Sequence, residues 1–393
     1  MAMQTKEEVY GVYTADEAQA LLQSGKALQL KAKRPVLIGR ECLLKVNLSI
    51  GVSEAWQTEE EEKKLQKIAE LSYRPDSIMD LSIVKTENPL WKTALQVFDG
   101  AVGTIPYYAV YDEKTGIDEQ AFFENVTEMA QGGVSFMTLH PTANLDLYKE
   151  AFFSNRIVPT TSRGGYVLLK DAVMNGRKDN IIAENFDRIL GICKQYGVAL
   201  SIGTVFRPAT VWEALDEFHR REIALQKTFI DRAKAYGVSV MMEGVGHLPL
   251  NLVDEYAELI RPLNAPLMPL GPIPSDEIIG FDHVSNAIGA SALAQTGVVG
   301  MINSVTREEH TGKVPSMDSV LEGLKSARTA AHCYNIARYP AYKKGTEVIG
   351  ITRAKHASCV QQGGIFAFTD VEKSEMENCT RCRHECPLKK VIE

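Results

Sequence analysis

No apolar run in the 393-residue sequence approaches the ~20 residues that a membrane-spanning helix needs, so no membrane partner is expected. Positive charge is in deficit: 43 Lys+Arg stand against 50 Asp+Glu, a formal charge of −7, which leaves no electrostatic footprint for nucleic acid. Residues Met1 to Glu8 lack an apolar signal core, and a cytoplasmic location is the expectation. Internal repeats and low-complexity tracts are missing. Neither a GxGxxG string nor a P-loop follows the first strand candidates, which weighs against a doubly wound nucleotide-binding sheet. Cysteine is sparse and odd in number: Cys42, Cys193, Cys333, Cys359, Cys379, Cys382 and Cys386 do not make the even framework of a disulfide scaffold.

What is present is the balance of a folded globular protein, with 45% hydrophobic and 24% charged residues. Strand candidates fall at residues 35–39 or 43–48, then 77–82, 102–108, 134–140, 157–161, 198–204, 238–243, 265–270 and 298–305. Helical patterns separate them at 59–71, 118–130, 183–195, 212–235, 252–260 and 283–295, and a long one follows at 316–337. Such alternation predicts a parallel sheet with crossover helices, and eight or nine strands in about 300 residues fit a closed (β/α)8 TIM barrel of the α/β class. The expected division is an N-terminal segment, 1–34, a barrel catalytic domain, 35–335, and a loop-rich C-terminal tail, 336–393. The charge run 59–64 reads as the solvated start of a helix.

Polar residues gather at the carboxyl ends of these strand candidates: Asn47, Asp80, Tyr108, His140, Ser162 to Gly165, Arg207, Glu243 with His247, and Glu309 with His310. In a barrel those ends form one rim, so residues distant in sequence meet in one pocket; some of them are expected to be caps or loop residues instead. Ser162-Arg163-Gly164-Gly165 offers backbone N–H groups and a guanidinium to a phosphate or carboxylate, and Arg207 offers a second cation. Glu243, His247 and His310 could chelate zinc or another divalent metal. Three cysteines, Cys379, Cys382 and Cys386, lie within eight residues as Cys-x2-Cys-x3-Cys. Three thiolates can hold three irons of a [4Fe–4S] cluster and leave the fourth open to S-adenosylmethionine. With His384 or Cys359 the same thiolates could instead form a zinc site.

Taken together the strings resemble the ThiC family, the phosphomethylpyrimidine synthases of thiamine biosynthesis. The carriers include Lys45-Val-Asn47, Met79-Asp-Leu-Ser, Gly103-Thr-Ile-Pro-Tyr-Tyr108, Leu139-His140, Ser162-Arg-Gly-Gly165, Met242-Glu-Gly-Val-Gly-His247, Glu309-His310 and the cysteine tail. The resemblance implies a (β/α)8 barrel with a C-terminal cluster-binding tail, a homodimer, and a radical lyase. That lyase would rearrange 5-aminoimidazole ribotide through a 5′-deoxyadenosyl radical, fed by an external electron donor. By the same resemblance Met79, Tyr108 and His140 would contact the substrate. Ser162, Arg163, Gly164 and Arg207 would hold its phosphoribosyl part. Glu243 would contact substrate or transfer a proton, His247 and His310 would bind the auxiliary metal, and Cys379, Cys382 and Cys386 the cluster. Five departures accompany it: Ser49 replaces an asparagine, Thr204 an aspartate, Met268 a tyrosine, Asn303 a cysteine ahead of the second metal histidine, and the last cysteine spacing is one residue short. Ser49, Thr204 and Met268 are therefore substrate-binding positions with altered chemistry. They keep open a divergent paralogue with another substrate, beside a 5-hydroxybenzimidazole synthase-type member, which the resemblance gives the same substrate. A zinc-binding, non-radical barrel remains the alternative of another class.

Overall fold

Runs such as Ser77–Asp80 and Phe136–Leu139 are buried at every position, the pattern of parallel strands covered on both faces. The computed structural model describes residues 13–356 together with 359, 364–366, 382 and 385–389. Its centre is built from β1 (Lys45–Ile50), β2 (Ser77–Asp80), β3 (Ala101–Thr104), β4 (Phe136–Leu139), β5 (Ala199–Ile202), β6 (Val240–His247), β7 (Leu267–Ile273) and β8 (Met301–Asn303). All pair in parallel in the order β7-β6-β5-β4-β3-β2-β1-β8. A bridge between Leu267 and Val299 joins the two ends, so the sheet closes into a TIM barrel.

The barrel interior is filled by Met79, Ala101, Phe136, Ala199, Met241, Met268 and Met301. Leu28, Leu30, Val36 and Ile38 join this cluster from an antiparallel hairpin, Ala27–Leu30 with Val36–Gly39, that precedes β1. Residues 35–39 are thus part of a plug, and the first barrel strand is the later of the two candidates. Unbranched methionines suit an irregular, tapering space. Gly103 is required here: a Cβ would lie 2.1 Å from the Phe136 ring that fills the barrel.

Helices flank the strands. The longest before the last strand, Glu217–Tyr236, starts at Asp216, whose carboxylate accepts the His219 N–H at 2.8 Å, and stops at left-handed Gly237. Its buried face carries Phe218, His219, Glu222, Ile223, Gln226, Phe229, Ile230 and Ala233, the i, i+4, i+8 stripe of a packed helix. Three members of that stripe are polar, and two of them, Glu222 and Gln226, serve the site described below.

Three local expectations are corrected. Residues 157–161 form no strand. Pro159 brings no N–H, the Val158 N–H donates to Glu213 at 2.5 Å and the Thr161 N–H to the Val205 carbonyl, so the segment runs over the rim outside the sheet. The tail is not all loop, since Lys343–His356 is helical. The 59–64 run is not wholly solvated: in the helix Thr58–Glu70, Glu61 and Lys64 share the buried face with Leu65 and Ile68. Among the described residues no helix is long and apolar enough to cross a membrane.

Candidate active site

A cavity of about 620 Å³ opens where the barrel strands end, the face on which such barrels carry their sites. Ser49, Met79, Tyr108, His140, Ser162, Arg163, Arg207 and Glu243 all line it, although they span more than 190 residues of chain. The other named positions differ. Met268 is fully buried among the interior methionines, away from the cavity wall. Thr204 is buried, and its hydroxyl accepts from Arg207 Nη1 at 3.3 Å. Gly164 packs beneath the wall, where a Cβ would stand 2.3 Å from Tyr107 Oη and under 3 Å from His140.

Ser162 to Gly165 is a helix start, because residues 157–161 are not a strand. Ser162 caps the helix Arg163–Met174 by accepting the Gly165 N–H at 2.8 Å. A helix N-terminus with an arginine at its first position favours an anion. Arg207 sits across the same cavity. Among the described residues, neither Arg163 nor Arg207 has a carboxylate within ion-pair distance, and Arg207 Nε is buried without a partner. Two guanidinium groups with no ion-pair partner among the described residues thus line one space, a chemistry that suits a phosphate or carboxylate.

The loop that carries Arg207 is held from the helix behind it. Glu222 is fully buried and accepts the Val205 N–H at 2.5 Å, the Phe206 N–H at 2.8 Å and the Thr142 hydroxyl at 2.8 Å. It therefore ties the segments after β4 and β5 together, and burial pushes its carboxyl up to about 7. Gln226 donates to the carbonyls of Ile202 and Glu243, tying the end of β5 to the middle of β6.

Glu243 is buried, and its Oε1 accepts from Thr138 at 3.1 Å. Burial raises its pKa, while the Arg207 charge and the Thr138 bond pull it back. Glu309 also lines the cavity and is raised by burial against Arg207 and His310. Two carboxyl groups whose pKa values burial raises thus share the cavity with Arg163 and Arg207. His140 is driven down to about 3 by burial, with Arg207 adding to the effect, so its ring is neutral.

Strand β6 bends after Glu243. Val245 takes φ +67° and Gly246 φ +89°, and pairing with β7 slips between Val245 and His247. A β-branched residue at positive φ is strained, and such strain gathers where a side chain must be re-aimed. Here the bend brings His247 to His310, ring centroids 4.9 Å apart. Nδ1 of His247 lies 2.5 Å from Asp276, and Nδ1 of His310 lies 2.7 Å from Asp282. With Nδ1 spoken for, Nε2 of each ring is the nitrogen left for a metal, the arrangement in which carboxylates orient histidine ligands. Among the described residues no third His, Cys, Asp or Glu completes a metal-binding group.

Cys379 lies outside the described residues, as does His384. Cys382 and Cys386 are exposed and half-buried, respectively, beside turns closed by Glu385 N–H to the Cys382 carbonyl and Lys389 N–H to the Cys386 carbonyl. Neither lines the cavity. Sequence reasoning missed Tyr107, Thr138, Glu222, Gln226 and the aspartate partners of the histidines. It also missed Glu61 and Lys64, a buried ion pair of 2.6 Å in the cavity wall. The available signal was their spacing: Glu61, Lys64, Leu65 and Ile68 fall on one helical face.

Fold and site together define a (β/α)8 barrel protein with an anion-gripping, carboxylate-bearing cavity at the carboxyl ends of its strands. The family model described as the radical SAM ThiC family matches residues 13–393. A phosphomethylpyrimidine synthase of Thermotoga petrophila is 33% identical over 331 residues, covering 82% of this chain and 77% of that one. Those of Thermoanaerobacter sp. and Pyrococcus furiosus are 32% and 30% identical, each covering 91% of this chain and 86% of their own length. The chain belongs to the radical SAM ThiC family.

Proposed function

We propose that this chain is a radical S-adenosylmethionine lyase that rearranges 5-aminoimidazole ribotide or a closely related phosphorylated small molecule, as in phosphomethylpyrimidine synthesis for thiamine. The carrying observation is the cavity itself, with Arg163, Arg207 and the Ser162-capped helix start on one side and Glu243 and His140 beside them. The guanidinium groups and free N–H groups hold the phosphate, and that contact pins the rest of the substrate against the methionine floor. Met79 and Tyr108 form apolar wall, so that water is kept from the reacting carbon. Glu243, protonatable because it is buried, accepts or returns a proton at its carboxyl oxygen.

The cysteine donor set offers a cluster three thiols within eight residues, of which Cys382 is accessible, although the last spacing is one residue shorter than the family's. Cys379, Cys382 and Cys386 would hold a [4Fe–4S] cluster, which when bound would supply the electron for cleaving S-adenosylmethionine. The histidine pair fits zinc or another divalent ion, since both rings have carboxylate-bound Nδ1 atoms. A cytoplasmic homodimer served by an external electron donor completes the reading.

A second substrate is favoured by two positions. Met268 offers no hydrogen bond and is fully buried, and the Thr204 hydroxyl is occupied by Arg207. Fewer polar contacts remain for ribose and imidazole, which supports a divergent member with another substrate, whereas a 5-hydroxybenzimidazole synthase-type member would use the ribotide itself. The test is anaerobic reconstitution, then incubation with S-adenosylmethionine, reductant and 5-aminoimidazole ribotide. Ribotide loss with 5′-deoxyadenosine formation, abolished in Cys382→Ala, is the expected result. Deoxyadenosine without ribotide loss selects the divergent substrate. A colourless protein holding zinc in its tail, with no deoxyadenosine, overturns the radical reading.

A further inference from the structure

Tyr107 is fully buried, and among the described residues the one hydrogen-bonding neighbour of its phenol oxygen is His140 Nδ1, 2.7 Å away. Two neutral arrangements can fill that distance. If His140 carried its proton on Nδ1 and donated to Tyr107, the phenol O–H would be left buried with no acceptor. If Tyr107 donates, the buried phenol proton is used, and the proton left over is the Nε2–H of a ring that lines the cavity, where solvent or ligand can accept it. Only a phenol lone pair then goes unmet inside, which is the lesser loss. The second arrangement forces the ring proton of a neutral His140 onto Nε2.

Burial supports the neutral state, since it drives the ring down to about 3, well below any working pH. The orientation is locked as well. A Cβ at Gly203 would lie 2.6–2.7 Å from Nε2, Cδ2 and Cε1 alike, a near-equal set that puts Gly203 against the ring face and not in line with the Nε2–H. A Cβ at Gly164 would stand 2.7–2.8 Å from Cε1 and Nδ1 and 2.3 Å from Tyr107 Oη. Two residues without side chains therefore let the Tyr107–His140 pair close up. Nε2 has no hydrogen-bond partner among the described residues, and His140 lines the cavity.

We infer that Tyr107 is a positioning residue that fixes His140 as its Nε2–H tautomer, a hydrogen-bond donor toward the cavity and not a proton acceptor there. The inference rests on the reading of this cavity as the substrate site. It assigns the ligand atom that meets His140: a ring nitrogen, hydroxyl or phosphate oxygen with a lone pair, never an N–H. Proton acceptance in the cavity is then left to the carboxyl groups, Glu243 first.

The test is nitrogen-15 spectroscopy of histidine-labelled protein, with His140→Gln used to assign the signal among the 8 histidines. The expected wild-type spectrum shows His140 protonated at Nε2 and bare at Nδ1, without titration between pH 6 and 8. Tyr107→Phe should give a mixture of tautomers and weaken binding of 5-aminoimidazole ribotide about three- to tenfold. A wild-type ring protonated at Nδ1 overturns the inference, and so does a Tyr107→Phe spectrum identical to wild type. The wild-type spectrum needs no variant, so a misfolded Tyr107→Phe does not shield the inference. Should the ribotide fail to bind wild type while the spectrum is as expected, the tautomer stands and the substrate reading falls.

Discussion

His247 and His310 meet edge to face at 4.9 Å, and each holds its ring nitrogen on its own aspartate, Asp276 and Asp282. The pair is assembled from β6 and from the loop after β8, elements adjacent to β7 and β1 respectively. The aspartates fix the orientation of the two rings. Asp276→Ala should therefore weaken zinc binding about 10–100-fold while both histidines remain. Competition with a coloured chelator measures this, and unchanged affinity removes the aspartate from the site.

Arg207 has no carboxylate partner among the described residues, so its charge is available to a ligand. Arg207→Met should weaken binding of a phosphate monoester by about 1.5–3 kcal/mol, the worth of a charge-assisted hydrogen bond. Calorimetry with ribotide and with its dephosphorylated nucleoside tests this. The variant should bind both almost equally, whereas wild type should prefer the phosphate.

Glu222 makes stability depend on pH in a defined direction. Its carboxyl is lifted from an ordinary 4.5 to about 7 in the folded state, so the folded protein holds this proton more tightly than the unfolded chain. Its contribution is present in full below about 4.5 and is lost as pH rises to about 7, a change on the order of 3 kcal/mol. Glu222→Gln should flatten that part of the profile. Urea unfolding of both proteins at pH 5 and pH 8 checks the difference. A wild type that gains stability over this interval relative to the variant contradicts the assignment.

Lys64 and Glu61 are a buried pair in the cavity wall, and Lys64 also donates to the Pro315 carbonyl at 2.6 Å. Lys64→Met alone should cost about 3–5 kcal/mol, because it strands a buried carboxylate. Combined with Glu61→Leu the cost should fall below that of the single change. A double variant as unstable as the sum of two singles would show that the pair acts through the loop at Pro315 and not through its own charges.

The barrel was legible because its strands are short apolar runs spaced by amphipathic helices, and the polar rim because strand ends carry Asp80, His140 and Glu243 where a closed sheet must collect them. Asp80 shows the limit of that logic: its carboxylate accepts the Ser82 and Trp91 N–H groups and caps a loop. Residues 157–161 show another. They have strand composition, yet no open sheet edge remains for them once eight strands have closed. Tyr107, Glu222 and Gln226 were invisible because a buried polar residue on an apolar stripe has no signature until its partner across the fold is known.

Local pattern by itself determined the class of fold, the order of its elements and which polar residues crowd the ends of the strands, since periodicity and spacing are properties of neighbours along the chain. Closure of the barrel decided the rest: that Arg163 and Arg207 share one cavity with no ion-pair partner among the described residues, that His247 faces His310, and that Tyr107 meets His140. Those relations join residues tens of positions apart, and only burial and three-dimensional contact give them an energy.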